Sequence, residues 1–139
     1  MKKAIISIKG FQSAQYSDEE SFELVTDGEY SLNDGIAEFS YQESELTGYV
    51  GAGMQTTFVV EPGRVVLTRA GGMNGEMIFS EGRKHHFVYE TTYGSLTMGI
   101  DTQSITQALN EDGGNLEIHY AIDVDNIVMS RNSFKINVK

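Results

Sequence analysis

Arg69 carries the most specific chemical potential in this chain. In Val65-Val66-Leu67-Thr68-Arg69 it shares alternating parity with Val65 and Leu67. If that apolar flank faces a core, the guanidinium faces it too. An enclosed guanidinium can clamp a carboxylate or phosphate through two parallel hydrogen bonds. It can equally be held by an internal carboxylate or by backbone carbonyls, since a buried charge needs a partner whatever its role. Glu43, on the parity of Phe39 and Tyr41, is the candidate internal carboxylate. Tyr41, Tyr89, Tyr120, Met54 and Met98 also fall on inward parities. Phenols with apolar bodies can line a ligand cavity, and the same side chains can fill a core. Both readings are open at this level.

Other chemistries find less support. His85 and His86 are adjacent on an extended run and point to opposite faces, so they cannot chelate one ion together. His85 shares parity with Phe87 and Tyr89 and turns inward; His119 falls on the polar parity of its run. A metal site needs about three convergent ligands, and no spacing here supplies them. Serine, histidine and acids are all present, but no Gly-x-Ser-x-Gly elbow occurs. Gly71-Gly72-Met73-Asn74-Gly75 lies between strand patterns, without the helix N-terminus that a phosphate loop uses, and reads as a hairpin turn. Asp123-Val124-Asp125-Asn126 imitates the start of a calcium loop but lacks its glycine and distal glutamate. No catalytic residue, metal or cofactor is assigned.

The elements that must position these residues are strands. Phe22, Leu24 and Thr26 alternate with polar neighbours, as do Ala37, Phe39 and Tyr41. Leu116, Ile118, Tyr120, Ile122 and Val124 do the same, followed by Phe134, Ile136 and Val138. Period-two alternation sets one flank against a core and the other in water. Turn residues punctuate the runs: Asp27-Gly28, Asn33-Asp34-Gly35, Asn74-Gly75 and Gly113-Gly114-Asn115 tolerate positive φ. Glu61-Pro62-Gly63-Arg64 has the proline and glycine of a type II turn. About ten short strands result, the pattern of a sandwich or barrel, and closure into a barrel removes exposed edges. One segment departs from this. Ile105 and Leu109 lie four apart between Thr102 or Ser104 and Gly113, and the stretch reads as a short helical turn over a barrel end.

Composition agrees. The chain has 139 residues with 15 glycines, one proline and no cysteine, a single-domain length spanning 1–139. A net charge of -10 repels phosphate backbones and anionic lipid surfaces, so neither nucleic acid nor a membrane is the expected partner. No apolar stretch approaches a membrane span or a secretory leader. With cysteine absent, the expected compartment is the cytoplasm.

A further set of residues, in order, carries a family likeness. It comprises Tyr41-Gln42-Glu43, Thr56 opening an apolar strand, Val65-Val66-Leu67-Thr68-Arg69-Ala70-Gly71, and Met77-Ile78-Phe79 with Gly82. It continues through Tyr89 with Tyr93-Gly94, Thr102 with Ser104-Ile105 and Leu109, and Gly114 with Ile118-His119-Tyr120. In these the chain resembles the YwiB-like bacterial proteins, a family of unknown function grouped with the calycin-like barrels. The resemblance implies an antiparallel up-and-down, lipocalin-like barrel with a central cavity, and it implies no activity. Small calycin barrels that hold fatty acids use arginine and tyrosine for the acid group, which lends Arg69 weight as an anchor.

Three functional readings follow. In the first, the barrel is a non-catalytic module holding a small, largely apolar and anionic ligand at Arg69, with Tyr41, Glu43, His85, Tyr89, Met98 and Tyr120 around it. In the second, the barrel is filled and acts through an outer face, as a homodimer or other interaction module; Val66, Ile78 and Val88 are the outward apolar candidates. An enzyme ranks last, since it would require a tuned titratable pair in a cleft.

Overall fold

The computed structural model describes residues 2–14, 20–42, 55–70, 75–91, 94–124 and 127–139. These form ten strands: β1 (Lys2–Ala14), β2 (Glu20–Asn33), β3 (Ile36–Gln42), β4 (Gln55–Glu61), β5 (Arg64–Ala70), β6 (Gly75–Ser80), β7 (Lys84–Thr91), β8 (Gly94–Asn110), β9 (Gly113–Val124) and β10 (Ile127–Val138). The pairings are antiparallel, and consecutive strands are neighbours except at β6 and β7. β1 also pairs with β10, giving one sheet in the order β6-β5-β4-β3-β2-β1-β10-β9-β8-β7. The sheet curls until its two ends meet, forming a nearly closed up-and-down barrel with a seam between β6 and β7.

The seam is drawn together at one corner. Gly82 N–H donates to Thr102 O at 2.9 Å, Thr102 N–H donates to Arg83 O at 3.2 Å, and Arg83 N–H donates to Ser80 O at 2.9 Å. Ile105 N–H donates to a Glu81 carboxylate oxygen at 2.8 Å. Across the same corner His85 Nε2 and Ser80 Oγ share a hydrogen bond of 3.0 Å.

Alternation explains the core. Ile6 and Ile8 of β1, Phe39 of β3, Phe58 and Val60 of β4, Val65 and Leu67 of β5, Leu116 and Ile118 of β9, and Ile136 of β10 are all buried on inward parities. Four ring contacts form one ladder, two of them between paired strands and two across the lumen. Phe39 stacks on Phe58 at 4.9 Å, and Phe58 meets Phe134 edge-on at 6.5 Å. Phe134 stacks on Tyr120 at 5.7 Å, and Tyr120 meets Phe79 edge-on at 4.8 Å. Such ring pairs add about 0.5–1.5 kcal/mol each beyond area burial. The ladder ties β4 to β10 and β6 to β9, pairs of strands that share no hydrogen-bonded ladder.

The two barrel ends differ. Tight turns at 34–35, 62–63, 81–82 and 111–112 gather at one. Asp34 (φ 52°) and Gly35 (φ 79°) adopt the paired positive φ of a type I′ hairpin. Contacts across the barrel fasten this turn end: Tyr30 Oη donates to Asn110 O at 2.7 Å, and Gln107 Nε2 donates to Glu61 O at 3.3 Å. Burial pushes the Tyr30 phenol above its ordinary pKa of 10.0. Strand ends at the other rim flank the residues outside the described set, among them Asn126 and most of the Gly71–Gly75 run.

Two expectations are corrected. Residues 102–110 are not a helical turn but the second half of β8. A spacing of four returns to the same side of a strand as well as of a helix, and Ile105, Gln107 and Leu109 pair with Ile118, Leu116 and Gly114. An extra residue, Gln103, interrupts the ladder between Thr102 and Ser104. That β-bulge breaks the alternation that would have revealed the strand. Asp27-Gly28 is likewise no turn but lies within β2. Gly28 serves close packing: an added Cβ would sit 2.3 Å from the Ser40 carbonyl oxygen and 2.5 Å from Ile6 Cδ1.

Candidate functional site

The inward flanks of β3, β4 and β5 turn polar toward the rim opposite the tight turns. Tyr41 lies directly across from Thr56, and Thr56 directly across from Arg69. These three form one row over three adjacent strands. Their neighbours one step closer to the turn end are Phe39, Phe58 and Leu67, all buried, so the row caps the aromatic layer. Thr56 is fully buried and Tyr41 is 6% exposed. Arg69 is half-buried, and its Nη1 donates to Met77 Sδ at 3.8 Å. None of Tyr41, Thr56 and Arg69 is without a partner. The row combines a cation, a phenol and a hydroxyl on a rigid ladder, a donor set suited to an anionic group.

A second polar row runs across β8, β9 and β10. Thr102 lies opposite Tyr120, and Tyr120 opposite Asn132. Tyr120 points into the barrel, as its contacts with Phe79 and Phe134 require. Asn132 Nδ2 donates to Ser130 Oγ at 3.0 Å, and Ser130 is buried on the same parity. Thr102 is 1% exposed, and its Oγ1 has no hydrogen-bond partner among the described residues. Alternation alone did not single out Thr56, Thr102, Ser130 or Asn132. Threonine is an ordinary strand former, and the bulges before Ser104 and Ser130 obscure which face each residue takes.

The other expected site residues disperse. Glu43 and Met54 lie outside the described residues, so the proposed Glu43–Arg69 pairing does as well. Tyr89 stands on β7 opposite Leu96, with its side chain outside the described set. Met98 is half-buried on β8 opposite Val124. His85 is half-buried at the seam corner with Ser80, apart from the Arg69 row. His119 bonds Glu117 at 2.6 Å on the outer face. No group of three or more histidine, cysteine or acidic side chains capable of holding a metal occurs among the described residues.

The outer face has features of its own. Lys84 of β7 reaches over Gly99 of β8 to pair with Asp123 of β9. An added Cβ on Gly99 would lie 2.6 Å from Asp123 Oδ1 and 2.7 Å from Lys84 Cε, so the glycine leaves room for the pair. Val66 and Ile78 are half-buried on the outward parity and face each other across β5 and β6, while the Val88 side chain lies outside the described set. Ile5 and Val25 are exposed near one another on β1 and β2. Two grooves of about 590 Å³ and 360 Å³ also open between the long strands, and Lys9 and Lys135 line both. No helix among the described residues is long and apolar enough to cross a membrane.

Comparison with known proteins agrees with this architecture. The chain is similar to an uncharacterised β-barrel protein, YwiB, of Bacillus subtilis (strain 168), being 28% identical over 106 residues that cover 76% of this chain and 72% of YwiB. The crystal structure of YwiB from Bacillus subtilis matches with a TM-score of 0.79 at 21% identity, over 99% of this chain and 92% of that one. At that identity the likeness bears on the fold alone. Residues 6–136 match the model of a domain of unknown function, DUF1934, and the chain therefore belongs to the DUF1934 family.

Proposed function

We propose that the barrel is a non-catalytic binding module for a small, largely apolar molecule bearing an anionic group. The observation that carries this reading is the in-register row Tyr41–Thr56–Arg69, inward-facing and adjacent to a wall of aromatic rings. In this reading the guanidinium takes the acid group and Tyr41 and Thr56 orient it. The apolar body of the ligand lies against the ring layer. A calycin-like mode of use, with a cavity reached from the rim opposite the tight turns, belongs to the same proposal.

The test uses 1-anilinonaphthalene-8-sulfonate, an anionic apolar dye. The chain has no tryptophan, so dye fluorescence is read against a low intrinsic background. Saturable binding to the wild type, displaced by decanoate, is expected. Arg69→Met should weaken both by about 10–100-fold, the usual worth of a hydrogen bond to a charged group. Absence of saturable binding, or binding indifferent to Arg69→Met, overturns the reading.

A second reading has an observation of its own. The ring ladder occupies the middle of the lumen, and Ile5, Val25 and Phe11 are exposed on the outer face. A barrel filled in this way would act through its outer surface, as a homodimer or with another protein. Sedimentation equilibrium at micromolar concentration tests the homodimer: a monomer across the range rules it out.

A further inference from the structure

We infer that the row Thr102–Tyr120–Asn132 is a second, uncharged recognition site, so that the ligand carries a neutral hydrogen-bonding group, such as a hydroxyl, in addition to its acid. The inference rests on the luminal reading proposed above and names the class of ligand more narrowly. A plain alkyl carboxylate would satisfy the Arg69 row and leave this one unused.

Three observations converge on it. The first is the hydroxyl of Thr102, a residue 1% exposed, whose Oγ1 lacks a hydrogen-bond partner among the described residues. A buried hydroxyl left unmatched costs stability, and valine would fill the same volume without that cost. The second is the company it keeps. Tyr120 and Asn132 continue the row in register on β9 and β10, and Ser130 lies beside Asn132. A phenol, a carboxamide and two hydroxyls, none of them charged, select a hydroxyl or carbonyl over an ion. The third is the position of the irregularities. Among the described ladders the register shifts twice, between Thr102 and Ser104 and between Val128 and Ser130. Both bulges abut this one polar cluster, and bulges re-aim side chains beside binding and active sites. The rings of Phe79 and Phe134 flank Tyr120 and offer flat apolar surface between the polar groups.

The test compares matched probes by displacement of 1-anilinonaphthalene-8-sulfonate and by calorimetry: decanoate against 10-hydroxydecanoate, and cinnamate against 4-hydroxycinnamate. In at least one pair the hydroxylated acid should bind about tenfold more tightly, the worth of one neutral hydrogen bond. Thr102→Val should erase that advantage while leaving the unhydroxylated partner's affinity in place, and it should raise the melting temperature of the free protein. Arg69→Met should weaken both members of the pair together. If both members bind equally and Thr102→Val changes neither, the second site is refuted and the Arg69 reading survives. If no acid binds the wild type at all, the luminal reading fails and takes this inference with it. A Thr102→Val protein that melts lower than wild type also counts against the inference, because the hydroxyl would then be satisfied within the fold.

Discussion

At the scale of single residues, the buried polar groups sort by what satisfies them. Tyr30 is buried, and its hydroxyl donates across the barrel to the Asn110 carbonyl at 2.7 Å. Replacing it by phenylalanine should cost about 1 kcal/mol, measured as the shift in the urea unfolding midpoint at neutral pH. The same phenol makes an alkaline prediction. Its folded-state pKa lies above the ordinary 10.0 because burial disfavours the phenolate. The unfolded chain therefore ionises first as pH rises. The stabilisation is whole below that ordinary value and is lost as pH climbs through it toward the raised one. Unfolding measured at neutral pH and about one unit above the ordinary phenol value should show this loss in the wild type. In Tyr30→Phe the loss should be smaller; an equal loss would assign it to other groups.

At the scale of elements, the ring ladder joins opposing walls. Phe58 is its hinge, stacked on Phe39 of the neighbouring strand and edge-on to Phe134 across the lumen. Truncation of such a fully buried ring to alanine typically costs about 3–5 kcal/mol, a large share of a domain's stability. Phe58→Ala should therefore unfold in distinctly less urea than wild type, while Phe58→Leu, which keeps most of the volume, should lose much less. A small loss for Phe58→Ala would mean that the ladder does not join the walls. The bulges in β8 and β10 belong to this scale too. Each adds one residue to a strand and so changes which face the following side chains take. That is how Ile105 and Leu109 remain inward beyond Gln103.

At the scale of the whole molecule, the described strands are long on one side of the barrel and short on the other. β1, β2 and β8–β10 have 12–17 residues, whereas β3–β7 have 6–8. The ends of the sheet, β6 and β7, meet at the corner around Gly82 without a ladder joining them. In an edge strand alternate amides point away from the paired neighbour. Hydrogen exchange should therefore be fastest, among the strands, at the seam-facing amides of β6 and β7, and slower in the strands paired on both sides, β1 and β10 among them. Uniform protection across all ten strands would mean that the barrel closes fully in solution.

Strand chemistry was legible from residue order because alternation is a local property. Ala37, Phe39 and Tyr41, or Leu116, Ile118 and Tyr120, reveal their inward face without reference to any other strand. The glycines and proline at Asn33-Asp34-Gly35 and Glu61-Pro62-Gly63 likewise announce turns through their own φ preferences. Arg69 was visible for the same reason, since it continues the parity of Val65 and Leu67. Tertiary structure decided what depends on contacts between distant segments. Gly28 mimics a turn in the sequence and in space makes room for Ile6 and Ser40. Ile105 and Leu109 fit a helix by spacing until β9 pairs alongside them. Thr56, Thr102 and Asn132 became candidates when pairing set them beside Arg69 and Tyr120, because register between strands is a relation that no single strand encodes.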